Sequence, residues 1–280
     1  MTRINFKNAL SDTVMYGGGN YPIRLTSLDG LEFVPKKYHT VTYSGTDGAD
    51  TVCQVHDRRV ITGSGDIFIT SKLQLNNLCN VFSEPGILTL TRDNVTRKTK
   101  YKPSQFDIKR KNEKCFVFTF QIICDNPCFE ALNNHNIDLF KRENLVFGSV
   151  SLPAVFTKRI NEAKFINKGH KKAEPVIYVK YISDASGSSK EGFVIRNKKT
   201  NQEIKFTDEV KKHGTVIFNI SDRTVKSKDN ENLEKYITQD TYLSDFFVDT
   251  GLNDFEFINL NTSENVVAEL SYLPLYLGVY

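Results

Sequence analysis

The chain has 280 residues, which is enough for one large domain or two medium ones with hydrophobic cores of their own. Its 37 Lys and Arg against 33 Asp and Glu give a net charge of +4, too small and too interspersed to indicate a nucleic-acid partner. Trp is absent, and 20 Phe and 12 Tyr supply the aromatic volume, a composition that favours strands over helices.

The N-terminal segment has no apolar core typical of a secretory signal, and no apolar run approaches the roughly 18–20 residues that span a bilayer. We therefore expect no membrane span. Cys124 and Cys128 could bind zinc together with His135, but a fourth ligand is missing. The five unequally spaced cysteines instead indicate free thiols in a reducing cytoplasm.

Alternating residues predict antiparallel strands in the first half of the chain. Strand periodicity begins at His39, Asp47-Gly48 predicts a hairpin turn, and further strands follow over 51–57 and 60–70. One face of the last strand would carry Ile61, Gly63, Gly65, Ile67 and Ile69. The two glycines indicate a bend, a bulge or the close approach of another backbone.

A single helix is predicted over 71–86, with Ser71 as its N-cap and Pro85-Gly86 as its end. Leu75, Leu78, Cys79 and Phe82 recur there at helical spacing. Strands resume over 87–93, 97–111 and 114–130. In the last of these strands, one face carries Phe116, Phe118, Phe120 and Ile122.

The pattern loosens after Ala131, and a basic, turn-like segment near Lys172 marks a domain boundary. We therefore divide the chain into an N-terminal domain, 1–131, a connecting segment, 132–172, and a C-terminal domain, 173–280. Strands are predicted in the C-terminal domain at 175–183, in a hairpin over 193–206, and at 214–220, 245–249, 254–260 and 265–280. These short strands with frequent turns predict a mainly β protein whose C-terminal domain is a β-sandwich.

The segment 44–66 is the strongest candidate for an enzyme or metal site, since it contains Asp47, Asp50, His56, Asp57 and Asp66. Metal ligands must converge at about 2–2.6 Å, whereas strand periodicity scatters these side chains. Asp and Gly are also the residues that turns require. We therefore interpret the aspartates as turn residues.

Other groups have similarly simple explanations. The carboxylate pairs Asp245/Asp249 and Asp254/Glu256 could serve glycoside hydrolysis, but exposed acidic residues are common. The basic runs 109–114 and 196–205 are typical of solvated faces. Tyr272, Tyr276 and Tyr280 could stack on sugars, although a closing core strand is the commoner explanation. We predict no catalytic, cofactor-binding or metal-binding residue.

The order of segments along the chain carries a further signal. The first half contains "LTSLDGLEFVP", "YSGTDGADT", "RRVITGSGDI", "FSEPGILTLTRDNVTRKTKYKP" and "FTFQIICDNPCFE", and the second contains "FINKGHKKAEPVIYV", "FVIRNKKTNQEIKF", "FFVDTGLNDFEF" and "LSYLPLYLGVY". In this order the chain resembles the distal tail protein family of tailed bacteriophages over nearly its whole length. It departs from the family at three positions. Asn201 stands where the family often has Gly, Thr250 where it often has Pro, and Phe129 where it commonly has Trp. These changes affect local turns and packing.

The resemblance implies a structural protein of the phage tail tip, without catalysis or cofactor. The N-terminal domain would be a belt that builds a homo-hexameric ring, and the C-terminal domain a galectin-like β-sandwich. The ring would join the tail tube protein to the baseplate hub or to tape-measure and receptor-binding proteins, with a lumen for DNA. Such a protein, or its counterpart in contractile tails and tail-like bacteriocins, would be assembled in the host cytoplasm and located at the tail tip.

A hexameric ring needs two different, complementary patches on each subunit. We expect residues 39–70 and an N-terminal arm, residues 1–20, to contribute them, because hairpins can supply strand edges to a neighbour. One alternative is a carbohydrate-binding module that contacts host cell-wall glycan. Another is a glycosidase or peptidoglycan hydrolase, for which the sequence offers no convergent set of residues.

Overall fold

The computed structural model describes residues 2–19, 21–45, 47–68, 72–144, 157–184, 191–261 and 263–279. The chain forms two compact units. The first unit comprises residues 1–132 and 275–280, and the second comprises 133–274. Ser71, Ile69 and Tyr280, which the sequence analysis names, lie outside the described residues. Within the described part of the chain, no helix has the length and apolar character needed to cross a membrane.

The first unit contains most of the strands expected from the alternating sequence, and three more before them. They are β1 (Arg3–Lys7), β2 (Asp12–Gly17), β3 (Ile23–Asp29), β4 (Lys36–Val41), β5 (Asp50–His56), β6 (Arg59–Phe68), β7 (Gly86–Arg92), β8 (Val95–Arg110), β9 (Cys115–Cys124) and β10 (Phe129–Ala131). The predicted helix is confirmed as α1 (Lys72–Val81), which ends before Pro85.

The main sheet of the first unit closes on itself. Its order is β8-β7-β1-β2-β3-β6-β9, and β9 pairs in turn with β8. Closure is possible because β8 has 16 residues and pairs with β7 through Val95–Tyr101 and with β9 through Lys102–Arg110. The pairs are antiparallel except for β2 with β3, which are parallel. A closed sheet leaves few free edges for unwanted pairing.

The interior of the closed sheet is apolar. Its fully buried residues include Ile4, Phe6, Met15, Ile61, Ile67, Leu88, Leu90, Phe118, Phe120 and Ile122. Leu78, Val81 and Phe82, from α1 and the residue that follows it, belong to the same core. The described residues predicted to share one face of β6 and one face of β9 therefore point into this core, with Phe116 only partly buried.

The N-terminal segment expected to contribute ring contacts, residues 1–20, belongs to the closed sheet over 3–17, and its part in a ring stays a prediction. Residues 3–17 form two strands of the closed sheet, and Ile4, Phe6 and Met15 are fully buried in its core. The physical reason is the alternation of apolar and polar residues along "RINFK" and "DTVMYG", which suits half-buried strands.

The second unit is a sandwich of two sheets. Its strands are β11 (His135–Asn144), β12 (Thr157–Ile160), β13 (Glu162–Asn167), β14 (Val176–Asp184), β15 (Phe193–Asn197), β16 (Gln202–Phe206), β17 (Thr215–Asn219), β18 (Thr224–Ser227), β19 (Gly251–Asn259) and β20 (Glu264–Tyr272). A short helix, α2, spans Val210–His213, and single 3-10 turns span Glu234–Tyr236 and Leu243–Asp245.

One sheet has the order β12-β11-β20-β14-β17-β18 and the other β13-β19-β15-β16. Their facing side chains form one core, which includes Ile177, Val179, Phe193, Ile195, Phe206, Phe218, Phe255, Phe257, Ala268 and Leu270. The predicted hairpin is confirmed as β15–β16, and Asn201 in its turn has a φ of 56°, a conformation that glycine adopts most easily. The strand expected at 245–249 does not form, since Val248 makes only an isolated bridge to Ala173.

The two units differ from the expected domains in two places. The predicted connecting segment, 132–172, contains β11, β12 and β13, which belong to the sandwich. The predicted last strand is divided, because Pro274 separates β20 from β21 (Leu275–Tyr276) and β21 pairs with β10 of the first unit. Proline lacks the N–H that a continuous ladder needs, which is consistent with the strand ending there.

Candidate assembly surface

The strongest candidate for a functional surface is a hairpin formed by β4 and β5. It is an antiparallel pair in which Lys36 lies opposite His56 and Val41 opposite Asp50. Neither strand pairs with another strand in the described residues. We call residues 36–56 the projecting hairpin. A hairpin is predicted from Asp47-Gly48 and is confirmed, although its loop, residues 42–49, is longer than a two-residue turn.

The base of the projecting hairpin is held by backbone contacts. His56 Nδ1 lies 3.4 Å from the carbonyl oxygen of Val34, and the Asp57 N–H donates to the carbonyl oxygen of Pro35 at 3.4 Å. Val34 itself is buried. The stem is therefore anchored in the first unit while the rest of the hairpin stands in solvent.

Apolar side chains cover both faces of the projecting hairpin. Every side chain of β4 is exposed, as is every side chain of β5 except that of His56. The large exposed apolar residues of this region are Phe33, Tyr38, Val41, Tyr43, Val52 and Val55, with Val52 68% exposed. An isolated two-stranded hairpin is marginally stable in water, and clustered exposed apolar side chains mark interaction sites. The hairpin thus has the properties of an element that is stabilised by a partner.

The acidic residues of segment 44–66 do not converge. Asp47, Asp50 and His56 lie on the projecting hairpin, and Asp57 accepts a hydrogen bond from the N–H of Arg58 at its base. Asp66 lies on β6, where its carboxylate accepts a 2.8 Å hydrogen bond from Arg24. Among the described residues, no group of three or more His, Cys, Asp or Glu could hold a metal ion.

Gly63 and Gly65 provide room for aromatic rings rather than for a ligand. A Cβ at Gly63 would lie 2.5 Å from the ring of Phe120, and one at Gly65 would lie 2.6 Å from the ring of Phe118. A Cβ at Gly65 would also meet the carbonyl oxygen of Arg24. The two glycines were expected to mark a bend, a bulge or the close approach of another backbone. On β6 itself they mark close approach, and the bulge lies in the neighbouring strand β3, between Leu25 and Ser27.

Of the candidate catalytic carboxylates in the second unit, Asp249, Asp254 and Glu256 form ion pairs, and Asp245 accepts a 3.2 Å hydrogen bond from the Ser244 hydroxyl. Asp249 lies 2.9 Å from Lys199 Nζ, and this hydrogen bond lowers the pKa of the Asp249 carboxyl below its ordinary value. Asp254 lies 3.5 Å from Lys164, and Glu256 lies 3.3 Å from Arg196. A general acid needs a raised pKa. The ladder of opposite charges instead suits the solvated outer face of the sheet.

The cysteine and histidine candidates belong to different units. Cys124 and Cys128 are buried in the first unit, whereas His135 lies on β11 in the second. Burial raises the pKa of the Cys124 thiol to about 11, which keeps the thiol protonated at neutral pH and makes it a poor metal ligand.

The C-terminal tyrosines offer no exposed ring for stacking on a sugar in the described residues. Tyr272 is buried in the sandwich core. Tyr276 lies on β21, and the guanidinium of Arg97 covers its ring at 3.6 Å from the centroid. Tyr280 lies outside the described residues.

A cavity of about 490 Å³ lies beside Tyr101 in the first unit. Lys100, Lys102 and Asp125 are among its lining residues, and Lys102 and Asp125 form a 2.5 Å ion pair. The Tyr101 hydroxyl donates to the carbonyl oxygen of Val81, and burial raises its pKa to about 12. Lys102, Asp125 and Tyr101 are therefore engaged with one another or with the backbone, and the described lining of the cavity shows no arrangement of a nucleophile and a base.

The fold defines a class of β protein in which a sandwich is inserted, along the sequence, into a closed-sheet unit. No protein-family model matches the chain, and no curated protein matches it significantly in sequence. Among solved structures, the chain is similar to SPP1 Dit, presented as a paradigm of the hub adsorption apparatus in Gram-positive infecting phages. The TM-score is 0.63 at 8% identity, over 90% of this chain and 93% of that chain.

Two structures of the phage P2 baseplate in its activated conformation also match. The one with Ca gives a TM-score of 0.48 over 98% of this chain and 97% of that chain, and the one with Sr gives 0.46 over 96% and 97%, each at 12% identity. The SPP1 Dit likeness confirms, at the level of the fold, the resemblance to distal tail proteins that the segment order predicts.

Proposed function

We propose that this protein is a structural component of a phage tail tip. In this proposal the first unit builds a homo-hexameric ring with a lumen for DNA. The ring joins the tail tube protein to the baseplate hub, and to tape-measure or receptor-binding proteins, at the tail tip of a virion or tail-like particle assembled in the bacterial cytoplasm. The protein acts by assembly and needs no catalytic residue or cofactor.

The observation that carries the proposal is the projecting hairpin. Its apolar side chains are exposed on both faces, and its two strands pair with nothing else in the described residues. A closed ring requires a heterologous contact between two different patches of the same chain. The hairpin supplies one such patch, and the fold shared with SPP1 Dit supports a role in a tail hub.

Electron microscopy of the purified protein in negative stain tests the proposal. We expect sixfold rings with an open lumen and, by light scattering, the mass of a hexamer of the 31.9 kDa chain. A chain that stays monomeric up to about 100 µM, well above the concentrations at which specific assemblies form, contradicts the proposal.

Glycan recognition by the sandwich remains the alternative function. It is supported less well, because Tyr272 is buried and Arg97 covers Tyr276. The isolated second unit, residues 133–274, should therefore fail to bind cell-wall polysaccharide on a glycan array. Specific binding there would favour the alternative.

A further inference from the structure

One edge of β3 is only partly covered by a neighbouring strand. On one side β3 pairs with β6 along its whole length, whereas on the other it pairs with β2 only at Arg24 and Leu25. β2 ends at Gly17, after which Gly18 takes a φ of 93°. Within the described residues, Thr26–Asp29 therefore has no strand neighbour on the β2 side.

This free edge borders a groove of about 230 Å³. Thr26, Ser27 and Leu28 form one wall, and Leu31 and Arg92 are among the other lining residues. Leu28 is partly buried and gives the groove an apolar part beside its backbone edge, while Leu31 behind it belongs to the buried core. An open edge presents unpaired N–H and C=O groups that an added strand can satisfy.

The free edge is short. At the bulge in β3, the hydroxyls of Thr26 and Ser27 both lie within hydrogen-bond distance of the Ser64 hydroxyl, at 2.9 and 2.8 Å. Since β2 pairs only with Arg24 and Leu25, at most the four residues Thr26–Asp29 of β3 are open to a partner on that side. An occupant must therefore add side-chain contacts to the few backbone hydrogen bonds that this edge can offer.

We propose that the groove along Thr26–Asp29 receives the projecting hairpin of a second copy of this chain. The hairpin has unpaired outer edges in the described residues, and Val52 and Val55 on β5 present exposed apolar side chains. Those side chains match the apolar part of the groove, which is formed by Leu28. The inference rests on the self-assembly in the proposed function and names the two patches that meet.

Charge complementarity gives the contact a direction. Arg92, which lies 3.8 Å from the exposed Asp93 carboxylate and is itself 44% exposed, lines the groove, and Asp29 is exposed at the far end of β3. The hairpin is basic at its base, in Lys36-Lys37, and acidic near its tip, at Asp47 and Asp50. The favourable orientation places the acidic tip of the incoming hairpin at Arg92 and its basic base at Asp29.

Each copy then donates its hairpin to one neighbour and accepts a hairpin from another. The two patches are different, so the contact is heterologous, and it builds a ring when the rotation between neighbouring copies closes. One contact of this kind per subunit is sufficient for a cyclic assembly.

Charge reversal tests the contact. Arg92→Glu alone and Asp47→Lys with Asp50→Lys should each weaken assembly at least tenfold, as measured by light scattering over a dilution series. The combined variant should recover most of the loss, because the reversed charges attract again. Lys109→Glu, a reversal at an exposed position of β8, is the matched control and should leave assembly unchanged.

Cross-linking provides a second measurement. Cys53 is exposed on β5, so Thr26→Cys or Ser27→Cys should form a disulfide with Cys53 of a second copy under mild oxidation. Non-reducing gels and peptide mass spectrometry should detect this link, and adding Cys53→Ser should abolish it.

The outcomes separate this inference from the proposed function. A wild-type chain that never assembles contradicts both. A ring that persists through every charge reversal, without any cross-link between the groove and Cys53, overturns the hairpin–groove contact and leaves the ring itself intact.

Discussion

The Arg59 guanidinium donates a hydrogen bond through Nη2 to the carbonyl oxygen of Leu277 at 2.6 Å, joining residues 218 positions apart. Arg59 is 2% exposed, and it also donates to the carbonyl oxygens of Gly30, Glu32 and Pro127. Its guanidinium lies 4.4 Å from the ring centroid of Phe129. One buried cation thus ties the end of the chain into the first unit.

Replacing this cation should release the C-terminal segment. Arg59→Met leaves several buried carbonyl oxygens without their donor, and we expect it to lower the free energy of unfolding by about 3 kcal/mol. Hydrogen exchange of peptides covering 275–279 should accelerate, and urea unfolding should shift to lower concentration. Arg58→Met, at the exposed neighbouring position, is the control and should change stability by no more than about 0.5 kcal/mol. Protection of 275–279 that survives Arg59→Met contradicts the assigned role.

The second unit should be removable. Both of its ends join the first unit at the β10–β21 pair, in which Phe129 lies opposite Tyr276 and Glu130 opposite Leu275. Replacing residues 133–274 with a short Gly-Ser linker converts this pair into a hairpin, and we expect a folded first unit by circular dichroism. It should assemble like the full chain, while residues 133–274 alone should stay monomeric by light scattering. Assembly by the isolated second unit would contradict the proposal that the ring contacts lie in the first unit.

Shortening the projecting hairpin should impair assembly. Deleting residues 46–50 removes its acidic tip, and we expect smaller species than the hexamer by light scattering. Circular dichroism should show an unchanged strand content apart from the hairpin, because β4 and β5 pair with no other strand in the described residues. A hexamer mass retained after this deletion would contradict a role for the tip.

Gly65→Ala should destabilise the closed sheet. The new Cβ would overlap the carbonyl oxygen of Arg24 and approach the Phe118 ring at 2.6 Å, and overpacking of this kind costs about 1–3 kcal/mol. Thr119→Ala, at an exposed position of the neighbouring strand, is the matched control. Equal melting temperatures for the two variants would show that β6 shifts freely enough to accept a side chain.

The Lys199–Asp249 pair should affect acid stability. The hydrogen bond from Lys199 lowers the pKa of Asp249 in the folded protein, so the stabilisation is present above the ordinary Asp pKa of about 4 and is lost as the pH falls through the lower, folded-state value. When the pH falls below about 4, the wild-type second unit should therefore lose more stability than the Lys199→Met variant. The difference between the two losses should be less than about 1 kcal/mol, because the pair is partly exposed. Lys205→Met, an exposed position on β16, should retain the wild-type pH profile. Parallel pH profiles for wild type and Lys199→Met in urea titrations would rule out the contribution.

The sequence by itself determined the local features of this protein. Alternating side chains specified β6, β9 and the β15–β16 hairpin, and Leu78 and Phe82 at helical spacing specified α1. These predictions hold because the period of a strand or a helix is a property of neighbouring residues. Segment order also indicated the distal tail fold, which the likeness to SPP1 Dit confirms.

Only the tertiary structure decided which distant segments meet. The closure of β8 on β9, the return of β21 to β10 and the free edge of β3 depend on pairing between residues far apart in the chain. Periodicity cannot specify such pairs, because a strand pattern gives the face a side chain occupies but not the strand beside it. For that reason the segment predicted as an N-terminal arm, 1–20, forms core strands over 3–17, and Asp66, predicted as a turn residue, lies on β6 in an ion pair with Arg24.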